Sequence, residues 1–82
     1  MKLKIINSGL KSHKTLLVSG EFKAVETVTK AINDERMHYK MDYAHFEHLE
    51  GNRATAEFIA HRKHHYKAAS FIRRVILEAR TS

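Results

Sequence analysis

Apolar positions in this chain alternate between two periods, and the changes of period mark its elements. Lys2 to Asn7 reads KLKIIN, a short β-prone run, and Asn7-Ser8-Gly9 is a turn signal. Lys14 to Val18 (KTLLV) is a second apolar run of strand length. The two predict a hairpin with its loop through Leu10–His13 and with Lys11 and Lys14 at or near that loop. The period then lengthens. Ser19-Gly20-Glu21 has the character of a helix start, with Ser19 as a cap for free N–H groups and Glu21 at the positive end of the helix dipole. From there to Glu35, Ala24, Val25, Val28, Ala31 and Ile32 share one face, and Glu26 precedes Lys30 in the favourable i,i+4 order.

The middle of the chain supports two readings. In one, Met37 to Ala60 is a second β-hairpin. Met37, Tyr39, Met41 and Tyr43 alternate with His38, Lys40 and Asp42, and Gly51-Asn52 is a two-residue turn signal. That register sets Glu50 opposite Arg53 and Leu49 opposite Ala54. Tyr43, Leu49, Ala54, Ala56, Phe58 and Ala60 then share one face, interrupted only by His45 and Glu47. In the other, Asn52 caps one long helix from Arg53 to Arg80, because Ala54, Ala56, Glu57 and Ala60 are good helix formers.

The segment His61–Arg80 (HRKHHYKAASFIRRVILEAR) reads as an amphipathic helix. At about 100° per residue, Ala68, Ala69, Phe71, Ile72, Val75, Ile76 and Ala79 form one stripe. Arg62, Lys63, Lys67, Arg73 and Arg74 point away from it. His61, His64 and His65 fall on the apolar side, one turn before Ala68. The resulting fold class is α+β, a ββαββα single domain over residues 1–82 with two helices on one face of a small antiparallel sheet. The alternative is an N-terminal hairpin plus helices, the last of them long.

Composition narrows what such a domain does. Eighty-two residues make a small core, and the absence of cysteine removes disulfides and thiolate ligands. No apolar run reaches the ~20 residues that span a bilayer, and the opening MKLKIINSG is too short in apolar residues for a secretory signal. The expectation is a soluble cytoplasmic protein with no membrane partner. The net charge is +6 and unevenly spread. Residues 1–20 hold four Lys and no acid, residues 21–60 five basic and eight acidic groups, and residues 61–82 six basic groups and one acid. If the two basic ends meet in the fold, they make one positive patch.

The histidines raise a metal. His45-x2-His48, then twelve residues, then His61-x3-His65 resembles the ligand spacing of C2H2 zinc fingers, with Tyr43 and Phe58 near that family's aromatic and apolar positions. Both cysteine positions are histidine here, and Asn52 stands where an aromatic is usual. A β-strand through this region puts His45 and His48 on opposite sides. The sequence therefore implies no cofactor, with zinc as the alternative.

No motif identifies a reaction, and the residues favour binding over catalysis. The first expectation is a small nucleic-acid-binding module or nucleoprotein-associated regulator. Lys63, Lys67 and Arg74 would hold phosphates, Arg62 and Arg73 would flank them, and Lys2, Lys11 and Lys14 would join if the first hairpin lies alongside. Tyrosines and histidines would stack on bases. The second is an inhibitor or adaptor, of the kind mobile elements carry, whose basic face meets an acidic protein surface. The third is a small ribonuclease using His61 and His65 as acid and base. A homodimer through an edge strand or the Met/Tyr row is a further possibility.

Overall fold

A computed structural model describes residues 1–81 of the chain. Its elements are β1 (Lys2–Asn7), β2 (His13–Glu21), α1 (Phe22–Glu35), a short 3-10 helix (Arg36–Tyr39), β3 (Met41–Leu49), β4 (Arg53–His61) and α2 (His65–Thr81). The strands form one antiparallel sheet in the order β1-β2-β4-β3. This is the α+β ββαββα architecture expected from the periodicity. The long-helix alternative fails because Arg53–His61 is a central strand, paired with β2 on one side and β3 on the other.

The core lies between the sheet and the two helices. On the covered side of the central strands, Leu16 faces Phe58 and Val18 faces Ala56. All four are fully buried. The alternation of β4 supplies Ala54, Ala56, Phe58 and Ala60 to this side, and the three alanines leave room for helices to approach. Val25, Val28 and Ile32 come from α1, and Ala68, Ala69, Phe71, Ile72 and Ile76 from α2. The predicted stripe of α2 is thus the buried one. Full burial is worth about 1.5–3 kcal/mol for each large apolar side chain of this set.

Several boundaries differ from the sequence reading, each for a physical reason. Ser19 and Gly20 do not start a helix. They extend β2, which pairs with β4 as far as Glu21 opposite Arg53. α1 begins at Phe22 without a side-chain cap, and the Phe22 N–H donates to the Asn52 carbonyl at 2.9 Å instead. Gly20 is buried against the chain start. A Cβ there would lie 3.1 Å from the Met1 Cα.

Met37 and Tyr39 do not belong to a strand either. The Tyr39 ring stacks on Phe71, with centroids 4.1 Å apart and 7° between planes. That contact holds Arg36–Tyr39 in a 3-10 turn against α2, and Lys40, in a left-handed conformation (φ 53°), leads into β3. The hairpin register also shifts. Leu49, not Glu50, pairs with Arg53, so the loop is Glu50-Gly51-Asn52 with Gly51 at φ 74°. A β-bulge at Ala44, between Tyr43 and His45, then restores the phase. Phe46 and His48 face the helices, whereas His45, Glu47 and Leu49 face away. The bulge accounts for the interruption that His45 and Glu47 made in the expected apolar row.

Candidate nucleic-acid interface

α2 starts four residues later than its amphipathic pattern suggested. His61 ends β4, and Arg62–His64 is a turn. The His64 N–H donates to the His61 carbonyl at 2.8 Å, and the Lys63 N–H donates to His61 Nδ1 at 3.1 Å. His65 Nδ1–H donates to the Arg62 carbonyl at 2.8 Å. His61, His64 and His65 therefore order the entry to the helix and do not line its apolar stripe.

The β1–β2 loop is built by Ser8. Its hydroxyl accepts from the Leu10 N–H at 3.1 Å and lies within donating distance of the Leu10 and His13 carbonyls, at 2.9 and 3.0 Å. The loop then meets the β4–α2 turn. The Arg62 N–H donates to the Ser12 carbonyl at 2.9 Å, extending the β2–β4 ladder past its last pair, His13 with His61. This bond continues the β2–β4 pairing that brings the first basic segment of the chain beside the last. Lys11, Ser12, His61, Arg62 and Lys63 line a single shallow concavity. The imidazoles of His13 and His61 meet edge to face at 5.3 Å, and His64 lies 6.1 Å beyond His61. No carboxylate lines this concavity. Among the described residues, Lys11, Arg62, Lys63 and Lys67 take part in no ion pair.

His61 reports on this environment. Its imidazole is pushed below the ordinary histidine pKa, first by partial desolvation and then by His13, Lys63, His64 and Arg62. The hydrogen bond from the Lys63 N–H acts in the same direction, because only an unprotonated Nδ1 can accept it. That bond leaves the remaining ring proton on Nε2.

The other expected site residues lie elsewhere. Lys67 is exposed in the first turn of α2. Arg74 shares its side of the helix but is engaged: Nη2 donates to the Tyr39 hydroxyl at 3.0 Å, and the guanidinium sits 5.5 Å above the Phe71 ring. Arg73 is about 120° around the helix from Lys67, given six residues at 100° each. Lys14 donates to Asn7 Oδ1 and sits in the ladder row that contains buried Ala60. The seven cations singled out in the sequence thus resolve into a cluster of three, Lys67 in the first turn of α2, and three that belong to other surfaces.

Sequence reading named His61, His64 and His65 but did not single out Tyr66 or the contact of His13 with His61. Tyr66 is 75% exposed, and its ring lies 4.1 Å from that of His65. It is adjacent in sequence to Lys67. Its exposure could have been inferred from its place opposite the Ala68–Ile72 stripe. The contact of His13 with His61 had no local signal, since 48 positions separate them.

The zinc spacing does not gather its ligands. His45 lies on the open face of the sheet opposite Glu57, while His48 lies on the helix side, with its ring 4.2 Å from Phe22. No group of three or more metal-ligating side chains forms among the described residues. His61 and His65, the pair expected for acid–base chemistry, do not share a helix face. A wider depression beside α1, lined by Glu26, Thr27, Lys30, Ala31 and Asp34, has charges of both signs and no converging groups. No helix among the described residues is long and apolar enough to cross a membrane.

Compared with family models, curated proteins and solved structures, the chain has no match.

Proposed function

We propose that this chain is a small nucleic-acid-binding module that grips single-stranded phosphate backbone at the open end of its sheet. The observation that carries the reading is the bond from the Arg62 N–H to the Ser12 carbonyl, which sets Lys11 beside Arg62 and Lys63. Three cations from two distant segments share one concavity without a carboxylate in its lining. Such a cluster attracts phosphate through charge and counterion release. Lys67 extends it along α2. Tyr66, exposed beside it with His65 against its ring, is a platform on which a base can stack. Single-stranded nucleic acid is the class that offers both an accessible backbone and unpaired base faces.

The roles sort by mechanism. Lys11, Arg62, Lys63 and Lys67 neutralise phosphates. Tyr66 supplies stacking, which is tolerant of sequence. Arg74 stabilises the 3-10 turn through Tyr39 and Phe71 and contributes little to the ligand. Arg73 and Lys14 stand outside the contact.

Fluorescence anisotropy with a labelled single-stranded oligonucleotide across a salt series tests this. Affinity should fall steeply with salt, and Lys63→Ala should reduce the slope of log K against log salt by roughly one unit. Tyr66→Ala should cost about 1–3 kcal/mol of binding while leaving the slope unchanged. Arg73→Ala should alter neither. Absence of binding at low salt ends the proposal. Equal competition by an acidic polypeptide would favour the adaptor reading instead.

A further inference from the structure

The sheet has one face under the helices and one face bare. On the bare face the register aligns side chains in rows across all four strands. One row runs Lys2, Ser19, Thr55, Glu47. The next starts at Lys4 and passes Leu17 and Glu57 to His45. A third runs Ile6, Thr15, Ile59, Asp42. Lysines therefore stand along the β1 edge, and carboxylates along the β3 edge. Between them the central strands carry Thr15, Leu17 and Ile59, with Glu57 beside Leu17 in the middle row. Thr15 is only 7% exposed, and Ile6 at the margin is 38% exposed.

This face is unlike the rest of the molecule. The chain carries +6, yet on this face carboxylates slightly outnumber cations. A nucleic-acid backbone gains nothing by lying on it. A copy of the same face does. Turn one copy over about a twofold axis parallel to the strands, and the rows stay in step while their direction reverses. Lys2 of each copy then stands over Glu47 of the other, with Lys4 alongside, and Thr15 meets Ile59 at the centre. A twofold axis across the strands would instead set lysine on lysine and carboxylate on carboxylate. The row from Lys2 to Glu47 thus selects one orientation, which matches the aligned packing of sheet on sheet.

We infer that this chain forms a symmetric dimer with a second copy of itself through the bare sheet face, the lysine edge of each on the carboxylate edge of the other. Strands spaced ~4.8 Å apart and rising ~3.3 Å per residue give a face of about 20 by 30 Å, on the order of 600 Å². That is below the ~800 Å² per partner of a typical stable complex, so the dimer is reversible and sensitive to salt. His13 and His61 continue the bare face beyond Thr15 and Ile59, so this axis brings the binding sites of the two copies to the same end of the dimer. The inference does not depend on what those sites bind.

Sedimentation velocity over protein concentrations from about 10 μM to about 1 mM reads the equilibrium. The unmodified chain should pass from monomer to dimer, less readily at high salt. Lys2→Glu with Lys4→Glu should weaken the dimer by about tenfold or more, and so should Asp42→Lys with Glu47→Lys. All four substitutions together should restore it, because the pattern is then reversed and still complementary to itself. Thermal melts establish that each variant is folded, and the fourfold variant keeps the test decisive if one pair is poorly folded. A chain that stays monomeric throughout overturns the inference. So does a dimer indifferent to both pairs, a fourfold variant as weak as the pairs, or an association abolished by nuclease.

Discussion

Thr29 has a buried hydroxyl without a hydrogen-bond partner, amid Val25, Val28 and Ile32 on the packed side of α1. Burying an unsatisfied hydroxyl costs free energy, and valine has nearly the same shape without it. Thr29→Val should therefore stabilise the protein by about 1 kcal/mol, read as a raised urea midpoint with an unchanged m-value. A lowered midpoint would mean the hydroxyl is satisfied in solution. His61 makes the complementary case for a group whose ionisation the fold opposes. Its folded pKa is lowered by desolvation and by the cations and imidazoles around it. The unfolded chain therefore binds more protons just below the ordinary value of about 6.5. Stability from this group is complete above that pH and is lost as pH falls through the lowered folded value. His61→Asn should flatten that part of the stability–pH profile. Bound phosphate reverses the preference by favouring the charged ring, so oligonucleotide affinity should rise from about pH 7.5 to about pH 6, with proton uptake. His61→Asn should blunt that rise as well.

Among the elements, β3 shows how a strand reconciles an awkward pattern. Its inward positions are Met41, Tyr43, Phe46 and His48, and the extra residue is Ala44. Without the bulge, alternation from Tyr43 would send His45 and Glu47 into the core. Deleting Ala44 should then leave a regular strand with every other side chain on its present face. β4 has no such slack, and deleting Ala56 would turn half of a central strand inside out. The expected result is a cooperative thermal melt for the Ala44 deletion and none for the Ala56 deletion. α2 teaches a related point. Its stripe runs as its periodicity indicated from Ala68 onward, but the preceding turn belongs to the sheet. Arg62 continues the ladder by bonding to Ser12, so the chain cannot enter the helix until His65.

At the scale of the molecule, charge is sorted by surface. One end of the sheet gathers Lys11, Arg62 and Lys63, while the bare face balances lysines against carboxylates. His61 belongs to both, since it lines the concavity and continues the bare face beyond Ile59. The substitutions that break the dimer should leave the salt slope of oligonucleotide binding per chain unchanged. The two assays together tell whether binding and association are independent.

Short-range information in this chain was sufficient for the first hairpin, the first helix and the buried side of each helix, but left Arg53–Ala60 open between strand and helix. Period-2 and period-3.6 patterns are local, and burial follows them wherever one face must leave water. The β-branched and aromatic runs and the Ala68–Ala79 stripe favoured ββαββα, and the pairing of β4 with both β2 and β3 decided it. Tertiary packing alone decided the rest. The contact of Tyr39 with Phe71 drew Met37 and Tyr39 out of a strand they fitted by alternation. Pairing with β4 drew Ser19 and Gly20 out of a helix they fitted by capping. The cluster of Lys11 with Arg62 and Lys63, and the rows from Lys2 to Glu47, depend on which strands are neighbours and in what register. Period fixes the side a residue faces, but only strand order and register decide what stands beside it.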